Sequence, residues 1–202
     1  MVFALQLDVK EFAEQLTLLH GELFYHIAPD EFINKVWKKA NHGTGVENLD
    51  RMIDAFNQVF YSKKKKKKKL IINNTLICPP PKKKTSNWVQ TSILHGKNLE
   101  ERTALLKMYI KLAANLKEHN NFNGIMMIQA ALESAGVHRL KKTWENLSKD
   151  KQKLFEDTVS TMSHVKNFGN YRALLQKCQP PSLPYVGTPN EAVVFLPSNP
   201  PF

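Results

Sequence analysis

The fold of this 202-residue chain is best read from one stretch, NLEERTALLKMYIKLAANLKEHNNFNGIMMIQAAL, which runs from residue 98 to residue 132. Large apolar residues recur in it at spacings of three and four, the period of one face of an α-helix. The buried stripe that this spacing predicts is Leu105, Leu106, Tyr109, Leu112, Ala113 and Leu116. Asn98 and Glu101 form the N-x-x-E pattern of a capping box, which predicts the start of the helix. A second stripe, ending at Leu132, predicts another helix that ends near Gly136.

The same helical period continues on both sides of this stretch. Apolar residues at positions 12, 16, 19 and 23 predict an early helix, and APDEF at 28–32 breaks and restarts the chain with Asp30 as the predicted cap. Ser148 is predicted to cap a helix that carries Phe155, and Pro180 and Pro181 end a later one. No segment alternates like a β-strand. The sequence therefore predicts an all-α domain.

A lysine-rich segment, Phe60–Thr85, interrupts one predicted helix. If Val59 is joined directly to Ser86, Val89 falls four residues after Val59 and Ile93 four residues later, so the apolar stripe continues in phase. The three prolines at 79–81 forbid a continuous helix through the segment. We interpret it as an insertion, with retained intron sequence as the leading hypothesis. A silent low-complexity loop and a polybasic membrane tether are the alternatives.

The basic charge of the chain belongs to that segment. Ten lysines lie in it, Lys63–Lys69 and Lys82–Lys84, and the formal charge of +11 falls to +1 when they are set aside. A lysine run without interleaved aromatic residues is a poor reader of nucleic acid, so we expect no nucleic-acid partner. Cys78 and Cys178 have no zinc or disulfide spacing, which favours a cytoplasmic location.

Five ordered motifs resemble one family. They are AEQLTLLHGELFYHIAPDEFINKVW (13–37), FNQV joined to SNWVQTSIL (56–59 and 86–94), LKEHNNFNGIMMIQAAL (116–132), RLKKTWENL (139–147) and PPSLPYVG (180–187). Together they resemble the catalytic domain of guanine-nucleotide exchange factors for Ras-type small GTPases. In that family FNQV runs directly into SNWV, which agrees with the in-phase helix described above.

The resemblance implies an irregular, orthogonal multi-helix bundle over residues 1–187. The lysine-rich composition predicts that the 60–85 segment, which interrupts this bundle, is disordered. It implies a Ras-type GTPase partner, which makes the chain an exchange factor without covalent chemistry, cofactor or metal. Met108, Arg139 and Phe155 are the candidate residues near the groove that would receive the switch II region of the GTPase. We expect a monomer, with recruitment to the inner face of the plasma membrane through weak contact of Lys63–Lys69 with anionic lipid as a further hypothesis.

The resemblance also implies where nucleotide release is driven. In the family, the nucleotide pocket is opened by a helical hairpin that follows the PPxxPYLG motif and a further extended segment. Here TPNEAVVFLPSNPPF follows Gly187, and its four prolines predict an irregular tail over 188–202 and an incomplete, exchange-incompetent domain. Three function classes stay open: an exchange-factor fragment, a GTPase-binding module without exchange activity, and a polybasic membrane-tethered scaffold.

Other parts of the motifs are interpreted as structural. Large aromatic residues dominate buried area, so Trp37, Trp88 and Trp144 are predicted core anchors. The NNFNG sequence at 120–124 is predicted to be a turn at the start of a helix, since asparagine favours caps and turns.

Deleting residues 60–85 should therefore join the flanking segments into one helix from about Leu49 to Leu94. The lysines repel one another and bury little, so they cannot offset the roughly 1–2 kcal/mol per residue needed to order a backbone. Circular dichroism and thermal unfolding should show more helix per residue and a higher melting temperature. A Gly/Ser segment of equal length is the control, and a deletion that lowers either quantity contradicts the insertion model.

Overall fold

The computed structural model describes residues 8–32, 47–58, 71–72, 75–76 and 87–195. Within these residues the chain is helical apart from one short strand pair, which confirms the all-α prediction. The helices, in chain order, are α1 (Val9–Tyr25), α2 (Pro29–Phe32), α3 (Glu47–Gln58), α4 (Asn87–Leu94), α5 (Leu99–Glu118), α6 (Phe122–Leu132), α7 (Ala135–His138), α8 (Lys141–Glu145), α9 (Lys149–Thr161), α10 (Gly169–Leu175) and α11 (Pro189–Phe195).

The 20-residue helix α5 is the centre of the packing. It contacts α1, α4, α6, α8 and α9. All six residues of its predicted stripe are buried, so the periodicity argument is confirmed. Asn98 caps it by accepting a hydrogen bond from Glu101 N at 2.8 Å, and Glu101 accepts one from Lys97 N. The reciprocal bond of the capping box therefore forms one residue earlier than in the standard pattern.

The buried apolar residues form two hydrophobic clusters, and helix α1 contributes to both. The main cluster is built chiefly around α5, and its largest buried members include Phe12, Leu16, Ile93, Leu105, Tyr109, Ile110, Phe122 and Tyr171. The second cluster joins α1, α2, α3 and α11 through Phe24, Ile27, Phe32, Leu49, Met52, Leu183, Val186 and Ala192. Trp88 and Trp144 are half-buried and pack against the main cluster, whereas Trp37 lies outside the described residues.

Glu31 fixes the start of α3 against α2. Its carboxylate is buried and accepts four hydrogen bonds of 2.8–3.0 Å, from Ala28 N, Asn48 N, Asn48 Nδ2 and Leu49 N. Burial alone would raise the pKa of Glu31, but the four donors together lower it. Asp30, the predicted cap, lies inside α2. The Asp30 prediction is therefore wrong, because α2 already begins at Pro29. The carboxylate that accepts backbone hydrogen bonds here is that of Glu31, and its partners Asn48 N and Leu49 N lie 17 and 18 residues away.

Three other predicted boundaries change. Ser148 precedes α9 as predicted, but its side chain makes no capping hydrogen bond. Gly136 lies inside α7, because the chain turns at Glu133 and begins a new four-residue helix at Ala135. The 188–202 tail is not irregular throughout, since α11 occupies Pro189–Phe195. Proline is tolerated at the first helical position, because a backbone N–H there would have no hydrogen-bond partner within the helix.

The lysine-rich segment is flanked by α3 and α4, as the phase argument expects. Four of its residues form an antiparallel pair of two-residue strands, β1 (Ile71–Ile72) and β2 (Thr75–Leu76). A pair this short is below the size that is stable by itself in water. Lys63–Lys69 and Lys82–Lys84 lie outside the described residues, so their membrane contact stays a prediction.

The turn at Asn120–Phe122 joins the two clusters. Asn121 Oδ1 accepts a hydrogen bond from Gly124 N at 2.8 Å and caps α6, and Asn121 Nδ2 donates to Thr17 Oγ1 of α1 at 3.1 Å. Phe122 N donates to Leu183 O, and Leu183 N donates to Asn120 O, each at 2.9 Å. The prediction that NNFNG forms a turn at the start of a helix is confirmed. The turn also holds the PPSLPYVG motif against α6.

His20 lies beside this turn and is fully buried. Its Nδ1 lies 3.3 Å from Asn121 Oδ1, and its Nε2 has no hydrogen-bond partner among the described residues. Burial lowers the pKa of His20 from 6.5 to about 4, although the hydrogen bond with Asn121 opposes the shift. The folded protein therefore holds this imidazole neutral at neutral pH.

The stability of the protein should consequently fall as the pH drops from about 6.5 to about 4. In this window the unfolded chain binds a proton at His20 and the folded chain does not, which costs up to about 3 kcal/mol. Urea unfolding of the parent and of His20→Gln at several pH values isolates the effect. The parent should lose more stability than the variant over this range, and parallel curves would show that His20 is not held neutral.

Candidate functional site

A groove of about 530 Å³ opens between α7, α8 and α9. It is lined by His138, Lys141, Trp144, Glu145, Gln152, Phe155 and Glu156. These helices are short and follow one another closely, because α7 and α8 are separated by only Arg139 and Leu140. The groove is therefore built by the RLKKTWENL motif and the first turns of α9.

Two aromatic rings form the floor of this groove. Trp144 and Phe155 have ring centroids 4.9 Å apart with a tilt of 47°. Trp144 Nε1 donates to Val137 O at 3.0 Å, which ties the indole to α7. Gln152 Nε2 donates to Leu147 O at 3.2 Å and holds α9 against the end of α8. The apolar floor is thus fixed in place before any partner binds.

The rim of the groove carries both signs of charge. Lys141 supplies a positive charge beside His138, and Glu145 and Glu156 supply carboxylates. Arg139, beside His138 in the chain, is exposed, and its Nε donates to Ala135 O at 2.9 Å. An aromatic floor with a charged rim suits a protein segment that inserts one apolar side chain and pairs its charges at the edge.

The three residues singled out in the sequence do not form one patch. Phe155 lines the groove, and Arg139 is exposed next to a groove residue. Met108 lies on α5, is only 6% exposed and belongs to the main cluster. Its side chain is therefore placed to support neighbouring helices rather than to make a broad surface contact.

Helix α11 is a second candidate surface, which the sequence reading missed. It begins two residues after the PPSLPYVG motif, nearer to the motif than the hairpin, which the resemblance places after a further extended segment. Val194 is 67% exposed on it, whereas Ala192 on the same helix is buried. The sequence does contain a signal for this helix, because Thr188-Pro-Asn-Glu191 matches the S/T-x-x-E pattern of a helix start. The four prolines of the tail predict an irregular segment instead.

The PPSLPYVG motif delivers the chain to α11 through close contacts. Tyr185 N donates to Tyr171 Oη at 3.0 Å, and Thr188 Oγ1 donates to Tyr185 O at 2.8 Å. A Cβ atom at Gly187 would lie 2.2 Å from the Tyr185 ring, so a larger residue there would have to displace that ring. The path into α11 is therefore tightly specified.

Neither a metal centre nor a membrane-spanning helix is found among the described residues. They contain no group of three or more histidine, cysteine or acidic side chains placed to hold a metal ion. No helix among them is long and apolar enough to cross a membrane.

Comparison with known proteins agrees with the motifs. The model of the RasGEF domain matches residues 11–202. This chain belongs to the RasGEF domain family. Among curated RasGEF proteins, Ras guanine nucleotide exchange factor P of Dictyostelium discoideum is 36% identical over 191 residues, which cover 94% of this chain and 11% of that protein.

Two other relatives also match most of this chain over a small part of their own length. Ras guanine nucleotide exchange factor A of Dictyostelium discoideum is 32% identical over 194 residues, covering 96% of this chain and 28% of that protein. Ras-specific guanine nucleotide-releasing factor 2 of Mus musculus is 27% identical over 181 residues, covering 90% of this chain and 13% of that protein. The chain thus spans less than a third of the length of each of these RasGEF relatives.

Replacing Trp144 tests how firmly the groove is built. Because Trp144 is half-buried, Trp144→Ala should cost about 2 kcal/mol, less than the roughly 3–5 kcal/mol of a fully buried aromatic residue. Trp144→Phe keeps the ring contact and loses only the bond to Val137 O, so it should cost about 1 kcal/mol. Urea unfolding measures both, and a Trp144→Ala protein as stable as the parent would show that the floor is not held by this ring.

Proposed function

We propose that this chain is the GTPase-binding part of a guanine-nucleotide exchange factor for a Ras-type small GTPase. The observation that carries the proposal is the RasGEF domain match, which runs through both candidate surfaces, from residue 11 to residue 202. The printed names of the relatives, Ras guanine nucleotide exchange factors, support the same partner class.

Such a factor needs no covalent chemistry. If it binds the nucleotide-free GTPase more tightly than the nucleotide-loaded form, linkage requires that it weaken nucleotide affinity by the same factor. A surface that binds both forms equally shifts nothing, however tight the binding is. The function therefore needs one surface that docks and another that discriminates between the two states.

The α7–α9 groove is our candidate for docking. Its aromatic floor is rigid, because Trp144 is tied to Val137 O and packed on Phe155. Phe155 offers an apolar contact, and Arg139 offers a charge at the edge that is free to pair with a carboxylate through its terminal nitrogens. Met108 acts in this proposal only as support from the core.

Discrimination is expected from the hairpin, which the resemblance places after the motif and a further extended segment. Helix α11 directly follows the motif and presents Val194 to solvent. Within the described residues it is a single seven-residue helix and not a pair. We therefore propose that a polypeptide of these 202 residues binds a Ras-type GTPase and accelerates GDP release little.

Binding to nucleotide-free and GDP-loaded forms across a panel of Ras-type GTPases tests the docking proposal. Phe155→Ala and Arg139→Glu should each weaken binding about tenfold, since each removes a contact worth roughly 1.4 kcal/mol. Lys10→Glu is the matched control, because Lys10 is an exposed cation on α1, away from the groove helices. Unchanged affinity in both groove variants would remove the groove from the interface.

Dissociation of fluorescent GDP from the same GTPases tests the discrimination proposal. The 202-residue polypeptide should leave the release rate close to the spontaneous one. Fast release would show that α11 and the groove suffice for exchange. Failure to bind any Ras-type GTPase, in either nucleotide state, would contradict the proposed function as a whole.

A further inference from the structure

Helix α1 buries one face and leaves large apolar side chains on the opposite face. Phe12, Leu16 and Phe24 are buried in the two hydrophobic clusters. On the outer face Leu18 is 45% exposed and Tyr25 is 53% exposed. These two side chains are seven residues apart, which is about two helical turns, so they lie in one row along the helix. The outer face of α1 therefore presents two apolar side chains about 10 Å apart to solvent.

The same outer face is acidic. Glu14 and Glu22 are exposed beside Leu18, and Glu11 lies in the same row, seven residues before Leu18. Lys10 is the one lysine or arginine in the VKEFAEQLTLLHGELFY sequence of the helix. The carboxylates of Glu14 and Glu22 form no ion pair with any described residue. This face therefore attracts a basic partner and repels anionic lipid and nucleic acid.

A groove of about 550 Å³ borders this face. Leu18, Pro180 and Pro181 give the groove apolar surface, and Glu14 and Glu118 add two carboxylates to its lining. Its walls come from α1, the end of α5 and the first prolines of the PPSLPYVG motif. The motif is held in place because Leu183 N donates to Asn120 O at 2.9 Å. The groove is thus built before any partner binds.

The outer face of α1 is distinct from the α7–α9 groove. Helix α1 packs chiefly on α3, α5 and α6, whereas the other groove is lined only by residues of α7, α8 and α9. The two surfaces share no lining residue. A partner on α1 therefore leaves the α7–α9 groove open.

We propose that the outer face of α1, together with its bordering groove, docks a basic amphipathic helix of another polypeptide. A helix is the expected shape, because apolar side chains that recur every two turns on α1 match an apolar stripe of the same period on a partner helix. Lysine or arginine residues flanking that stripe would meet the glutamates of α1 and Glu118. The inference goes beyond the proposed function and does not depend on GTPase binding.

A fluorescent peptide of about 18 residues, long enough for five helical turns, is the probe. It contains only leucine and lysine, with the leucines at helical spacing and the lysines at all other positions. Its fluorescence anisotropy should rise on titration with the 202-residue polypeptide at roughly 50 mM salt, and the affinity should fall at roughly 500 mM salt, which screens the charges. A scrambled peptide of the same composition, which has no apolar face, should bind at least about tenfold more weakly.

Three variants place the peptide on the α1 face. Leu18→Ala should weaken binding about five- to tenfold, because it removes the central apolar contact. Glu14→Gln and Glu22→Gln should weaken it about two- to threefold each, and only at low salt. Glu100→Gln is the matched control, since Glu100 is an exposed glutamate in the first turn of α5, at the opposite end of that helix from Glu118. All four changes are at exposed positions, so the melting temperatures should stay equal.

Several outcomes would overturn the inference. They are a parent chain that binds no peptide, a scrambled peptide that binds equally well, and a Leu18→Ala variant that binds like the parent. Self-association of the parent that Leu18→Ala abolishes would also overturn it, because the occupant would then be a second copy of this chain. Leu18→Ala should leave the affinity for a Ras-type GTPase unchanged, so a failure here is distinguishable from a failure of the proposed function.

Discussion

The fold depends on one buried amide, the side chain of Asn121. It caps α6, bonds to α1 through Thr17 and lies against the buried imidazole of His20. The backbone on either side of it pairs with Leu183 of the PPSLPYVG motif. A buried amide without hydrogen-bond partners would carry its full desolvation cost. That cost favours the arrangement in which α1 and α6 both lie within reach of Asn121. The main and second clusters are thereby joined at one turn.

Different hydrophobic clusters hold the two candidate surfaces. The α7–α9 groove is fixed by contacts within the main cluster, through Trp144 and Phe155. Helix α11 belongs to the second cluster, and its Glu191 pairs with Arg172 of α10. A groove with a fixed floor suits docking, and a lightly held helix can respond to a partner, since regions that respond to a partner come from the less stable parts of a fold.

Sequence reasoning predicted what depends on local period and composition. The stripe on α5, the cap at Asn98 and the turn at NNFNG follow from residues close together in the chain. It failed where distant donors or partners decide. The carboxylate of Glu31 accepts hydrogen bonds from the start of α3, which is distant in the chain. Met108 is buried because five helices contact α5. The prolines of the tail predicted an irregular segment, but contacts with the second cluster stabilise α11.

The most direct test of the account is amide hydrogen exchange of the 202-residue chain, alone and bound to a nucleotide-free Ras-type GTPase. The account predicts slower exchange on binding in two places, the groove helices α7–α9 and helix α11. Amides of the exposed face of α1 should exchange at the same rate in both states. Protection confined to α1 and the α5–α6 turn, with none in α11 or around Phe155, would contradict it.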